Sequence, residues 1–113
     1  MKQERLIKMQ ALMQERIGKY IFEELEQAGS TFGIVTVTEV KLSSDISYVD
    51  VHVSCFKNAD ILTKTLAGYA QIIQKRLFKD LGLIKVPRVR FHYDDSGDTG
   101  QKLEEIINTL DSN

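Results

Sequence analysis

Two stretches of the chain alternate apolar and polar residues one by one. Val49, Val51, Val53 and Cys55 interleave with Tyr48, Asp50, His52, Ser54 and Phe56, and Val89, Phe91 and Tyr93 interleave with Arg88, Arg90, His92 and Asp94. A period of two puts one set on a buried face and the other outward, so both stretches predict half-buried strands. A preceding strand keeps the same rhythm through Val35 and Val37, then jumps phase to Val40 and Leu42. One extra residue near Thr38 and Glu39 accounts for the jump, which predicts a bulge. The polar segment around Asp45 joins the first two strands as a hairpin, and Pro87 fits the first residue of the third, where its missing N–H costs least.

The rest of the pattern is helical. Leu6, Met9, Met13, Ile17, Ile21 and Leu25 recur every three or four residues, with Lys2, Arg5, Lys8, Arg16 and Lys19 mostly off that line, and the helix is expected to stop near Ala28 and Gly29. At these spacings the methionines read as core filler. Asn58 is placed as the N-cap of a second helix, buried through Ile61, Leu62, Leu66, Tyr69, Ile73, Leu77 and Leu81 and stopped by Gly82. Gly68 lies inside it, at a cost of roughly 1 kcal/mol relative to alanine, and marks either a break or a close approach. Asp98 and Gln101 resemble a capping box opening a last helix over residues 102–110, packed through Leu103, Ile106, Ile107 and Leu110.

The order helix, strand, strand, helix, strand, helix, with TVTEVKLSSDISYVDVHVS at residues 36–54 and VPRVRFHYDDS at residues 86–96, resembles the ribosome-binding factor A family of small bacterial RNA-binding domains. The resemblance covers roughly residues 4–110 and rests on pattern and order, without a catalytic or ligand signature. It implies a single α+β domain over residues 1–113 with the type II KH fold, its helices packed on one face of a three-stranded sheet, the third strand making the sheet mixed. The family replaces the G-x-x-G loop of such domains by an Ala-any-Gly kink in the second helix. Here Ala70 has the matching distance from Pro87, whereas Gly68 has the backbone freedom, and the kink is placed at Ala70. The turn before the first strand reads QAGSTFG, residues 27–33, in place of the family's Asp-Pro-Arg-like sequence. The resemblance further implies a non-enzymatic assembly factor that binds the immature small ribosomal subunit through 16S ribosomal RNA, assists late maturation of that RNA and supports growth at low temperature.

Composition changes the picture only through its distribution. The 113 residues carry a net charge of −1, which argues at first against a nucleic-acid binder. Residues 59–91, however, hold seven basic and two acidic groups, whereas residues 21–58 hold two and six and residues 92–113 one and six. Residues 1–20 lean basic, five against two. Such a dipolar chain meets phosphate with one face. The candidate contacts are Lys75, Arg76, Lys79, Lys85, Arg88 and Arg90, extended by Arg5, Lys8 and Lys19 of the first helix; they would give affinity and salt dependence with little sequence reading. Tyr48 and Phe56, on the outward phase, are sparse candidates for base stacking. The alternative is a protein-interaction module whose acidic hairpin and C-terminal helix dock a basic partner.

Other chemistry finds little support. His52 and His92 fall on outward strand positions without a nucleophile or carboxylate pair at a recognisable spacing. Asp94, Asp95 and Asp98 do not fit a calcium loop and read as turn and cap residues, so no metal and no cofactor is expected. No phosphate-cradling G-x-x-x-x-G-K-[ST] is present. The lone Cys55 falls inward, with no partner for a disulfide. No apolar run approaches the ~20 residues of a membrane span, and MKQERLIKMQ lacks the apolar core of a signal peptide. A cytoplasmic monomer, with neither a membrane nor a small-molecule substrate as partner, is expected.

Overall fold

The structure, a computed structural model, describes residues 3–26 and 31–94. Its elements are α1 (Gln3–Leu25), β1 (Val35–Leu42), β2 (Tyr48–Cys55), α2 (Ala59–Ala67), α3 (Ala70–Leu81) and β3 (Arg88–Tyr93). The strands form one sheet in the order β1-β2-β3. β1 and β2 pair antiparallel as a hairpin, and β2 and β3 pair parallel, with Val49 opposite Val89 and Val51 opposite Phe91. Parallel neighbours need a long crossover. Helices α2 and α3 supply it. The fold is thus α+β with a mixed three-stranded sheet.

The alternating positions sort as their pattern predicts. Val49, Val51, Val53 and Cys55 are buried, and they join Val40, Leu42 and Val89 against Met13, Ile17, Ile21, Leu62, Leu66, Ile73 and Leu77 in one core. The register of β1 on β2 shifts between Val37 and Glu39, which carries Val40 and Leu42 back to the buried side. The Thr38 hydroxyl, at this bulge, donates to the Asp94 carboxylate and lies 3.2 Å from the His52 carbonyl. In the hairpin turn the Asp45 carboxylate accepts from the Ser43 hydroxyl and the Ser47 N–H, while Ile46 takes a left-handed conformation, φ 62°.

Both outer strands have main-chain groups facing away from β2, and glutamines on the helices reach them. The Gln10 side chain accepts from the Leu42 N–H at 2.9 Å, and Gln14 donates to the Val37 carbonyl at 3.2 Å. On the other side Gln74 of α3 accepts from the Val89 N–H at 2.9 Å.

The break expected at Ala70 is present, and three other expectations are corrected. The second helix is two helices: α2 ends at Ala67, Gly68 keeps helical dihedrals (φ −66°, ψ −20°), Tyr69 leaves them (φ −102°, ψ 1°), and Ala70 opens α3. The break therefore falls immediately before Ala70 and makes no use of glycine's left-handed freedom; Gly68 and Tyr69 bond back to Thr65 and Leu66 in a tightened last turn. Asn58 precedes α2 but does not cap it; it sits in the left-handed region and its amide donates to the Thr31 carbonyl at 2.7 Å. Ile61 is 42% exposed, because Leu62 and Leu66 alone face the core in α2. Pro87 is buried just ahead of β3, which starts at Arg88. The expected helix stop at Ala28 and Gly29 and the last helix, residues 102–110, lie outside the described residues.

Candidate nucleic-acid interface

Helix α3 buries Ile73 and Leu77 and turns Lys75 and Lys79 to solvent on its opposite side. Four residues apart, the two ammonium groups stand one turn from each other on a single face. Neither has a charged partner among the described residues. They lie in the second half of α3, the helix that follows the break at Gly68 and Tyr69.

Arg76, grouped with them by sequence, has a different environment. Its guanidinium lies 4.1 Å over the ring of Tyr20 and reaches Glu23 at 2.8 Å and Glu24 at 3.9 Å. Tyr20, 1% exposed, donates its hydroxyl to Asp80. Burial first, then the Asp80 carboxylate, pushes the phenol up to about 12. Arg76, Tyr20 and Asp80 thus tie α3 to α1. The sequence reading missed Tyr20, although its position, three residues beyond Ile17, was a signal of burial.

Arg88 and Arg90 lie on the open face of the sheet, opposite the helices. Arg88 stands beside Tyr48 in the β2–β3 register and is exposed. Arg90 forks onto Asp50 through Nε and Nη2 at 2.8 and 2.9 Å, and its guanidinium lies 4.4 Å over the Tyr48 ring. The Arg90 hydrogen bonds hold the Asp50 carboxyl below its ordinary range, against the opposing effect of burial. His92 Nε2 is 2.8 Å from the same carboxylate and its ring stacks on His52, centroids 5.1 Å apart. Lys85, in the loop before β3, donates to the Ser47 hydroxyl at 3.0 Å and is exposed.

The six cations of residues 75–90 therefore do not form one patch. Lys75 and Lys79 belong to the helix side, Arg88 and Arg90 to the open sheet, Lys85 to the loop between them, and Arg76 to the α1–α3 seam. On α1, Arg5, Lys8 and Lys19 are all exposed, but Lys19 is about 16 Å along the axis from Lys8. The acidic hairpin is largely occupied: Asp45, whose carboxyl its serine neighbours lower to about 2, and Asp50 are both hydrogen-bonded within the fold.

Among the described residues no three His, Cys, Asp or Glu side chains gather as metal ligands, and no helix is long and apolar enough to cross a membrane. Cys55 is buried and its thiol, raised mainly by that burial, lies 3.0 Å from the Lys57 carbonyl. An apolar pocket opens between α1 and the start of β1, lined by Phe22, Leu25, Phe32 and Ile34.

Comparison with known proteins bears on this arrangement. The sequence model of a family described as ribosome-binding factor A matches residues 5–107. A ribosome-binding factor A of Hahella chejuensis is 31% identical over 112 residues, covering 91% of this chain and 82% of its own. The crystal structure of ribosome-binding factor A from Thermus thermophilus superposes with a TM-score of 0.68 at 19% identity, over 78% of this chain and 94% of that one. A homology model of the Thermus thermophilus factor, fitted into a cryo-EM map of a 30S complex with it, superposes with a TM-score of 0.61 at 22% identity, over 76% and 91% of the two chains.

Proposed function

The chain belongs to the ribosome-binding factor A family, and from that premise we propose that it binds the immature small ribosomal subunit through 16S ribosomal RNA and assists late maturation of that RNA. It does so in the cytoplasm, without catalysing a reaction, and its action matters most for growth in the cold. The observation that carries the reading is the pair Lys75 and Lys79, exposed on one face in the second half of α3, the helix that follows the break. Two exposed ammonium groups without a charged partner among the described residues neutralise phosphates at little desolvation cost, and counterion release supplies the binding energy. Lys85 in the loop and Arg88 on the open sheet face add separate positive charge beside Arg90, which is paired with Asp50, and Arg5, Lys8 and Lys19 add more on α1. Holding one RNA conformation requires no reacting group.

The alternative, an acidic surface that docks a basic protein, is weakened by the occupied acids. Glu23 and Glu24 face Arg76, Asp45 closes the hairpin turn and Asp50 is held by Arg90, leaving Glu26 and Glu39 of the six acidic groups in residues 21–58. Co-sedimentation of the chain with small subunits through sucrose gradients, with and without ribonuclease and across salt, tests the proposal. Association that survives both ribonuclease and high salt would overturn it in favour of protein docking.

A further inference from the structure

We infer that the open face of the sheet carries a second site, separate from the α3 lysines, which takes the bases of single-stranded RNA on Tyr48; the inference rests on the RNA-binding reading above. Tyr48 is 40% exposed at the start of β2, on the face the helices leave uncovered. Its neighbours are arranged for a planar, anionic ligand. Arg90 lies over one face of the ring, 4.4 Å from its centroid, while its fork onto Asp50 fixes the guanidinium plane, and a base would take the opposite face. Arg90 neutralises Asp50 and Lys85 offsets the turn carboxylate Asp45, so the exposed cations Arg88, beside Tyr48, and Lys41, opposite Asp50 on β1, leave this end of the sheet with net positive charge.

Base stacking needs a flat π-face, a nearby cation and a backbone track, and it tolerates any base. Tyr48 with Arg90 supplies the first two, and Arg88 with Lys41 supplies phosphate contacts on either side. Towards the other end the face carries Glu39, opposite His52 in the register, which disfavours phosphate there. A basic protein tail would prefer that acidic end. The stack and the cations sit at the opposite one, which favours RNA.

The test measures anisotropy of a labelled ten-nucleotide oligouridylate and of an abasic oligomer of the same length, binding to the full chain. Tyr48→Ala is expected to weaken oligouridylate binding roughly 5- to 150-fold, the loss of one base–aromatic stack, and to leave the abasic oligomer unchanged. Tyr48→Phe keeps the affinity. Tyr48→Leu, which retains apolar bulk on the strand, behaves as Tyr48→Ala and separates stacking from a folding defect. Lys75→Ala with Lys79→Ala, at the other site, leaves the preference for oligouridylate over the abasic oligomer unchanged; loss of that preference in this double variant would count against a separate site. Equal affinity of Tyr48→Ala and the parent for oligouridylate, equal losses on both oligomers, or no preference of the parent for the base-bearing strand would each overturn the inference. Sucrose-gradient association of the same parent chain reads the subunit proposal separately, so either idea can fail while the other stands.

Discussion

Arg76 lies over the ring of Tyr20 at 4.1 Å while Tyr20 hands its hydroxyl proton towards Asp80, one turn further along α3 from Arg76. A helix assigned to meeting RNA is thereby bolted to α1 by the cation that its sequence grouped with the ligand contacts. Arg76→Ala should cost about 1 to 2 kcal/mol of stability, combining the cation–π contact and partly exposed ion pairs. Lys75→Ala or Lys79→Ala should cost less than about 0.5 kcal/mol. Urea midpoints of the three variants decide it, and equal midpoints would remove Arg76 from the seam.

Tyr20 gives the fold an alkaline limit. Its folded-state pKa of about 12 lies above the ordinary 10.0, so the native chain keeps a proton that the unfolded chain has released. The resulting stability is fully present below pH 10 and is lost as pH rises through 12, on the order of 2 to 3 kcal/mol in all. Urea unfolding between pH 8 and pH 11.5 should show this decline in the parent. In Tyr20→Phe the decline should be shallower, on a lower plateau.

Lys75→Glu combined with Lys79→Glu should abolish association with small subunits while the circular dichroism spectrum is retained. The parent's log affinity should fall with log salt at a slope of roughly −3 to −5 if four to six phosphates are met. Reversal of Glu104 and Glu105 to lysine, in the acidic C-terminal sequence, should be neutral or strengthen binding; loss of binding there would favour the protein-docking alternative.

Two glycines should respond oppositely to alanine. Gly68 has helical dihedrals, and an added Cβ makes one tight contact, 3.3 Å to the Thr65 carbonyl, which takes back part of the gain from the unfolded chain, so Gly68→Ala should stabilise by less than about 0.5 kcal/mol and leave RNA binding unchanged. Gly33 has φ +69° with the Phe56 Cβ 3.2 Å from the added atom. Gly33→Ala should destabilise by about 1 to 2 kcal/mol. Thermal midpoints of the pair test both signs.

The strands, the bulge and most of the core were legible because a period of two records directly which face is buried. Val49, Val51 and Val53 needed no tertiary information. Arg76 was misread because helical periodicity shows what points away from Ile73 and Leu77, but not that α1 waits there with Glu23, Glu24 and Tyr20. The grouping of Arg88 and Arg90 with Lys75 and Lys79 followed closeness in sequence. Their strand phase already set them on the outward face, and only the parallel placement of β3, invisible to local pattern, showed that this face lies across the sheet from α3. The stacked contacts of Tyr48 with Arg90 and of His52 with His92 depend on the same pairing.

The glutamines that touch Leu42, Val37 and Val89 have a meaning for the chain in a crowded solution. An outer strand with open amides recruits a strand from another copy, the first step of sheet-to-sheet polymerisation. Gln10, Gln14 and Gln74 occupy such positions on both flanks with neutral amides, which neither add charge next to the exposed cations nor weaken with salt. Protection against fibre growth is in this way made independent of the ionic conditions under which the charged surfaces engage and release.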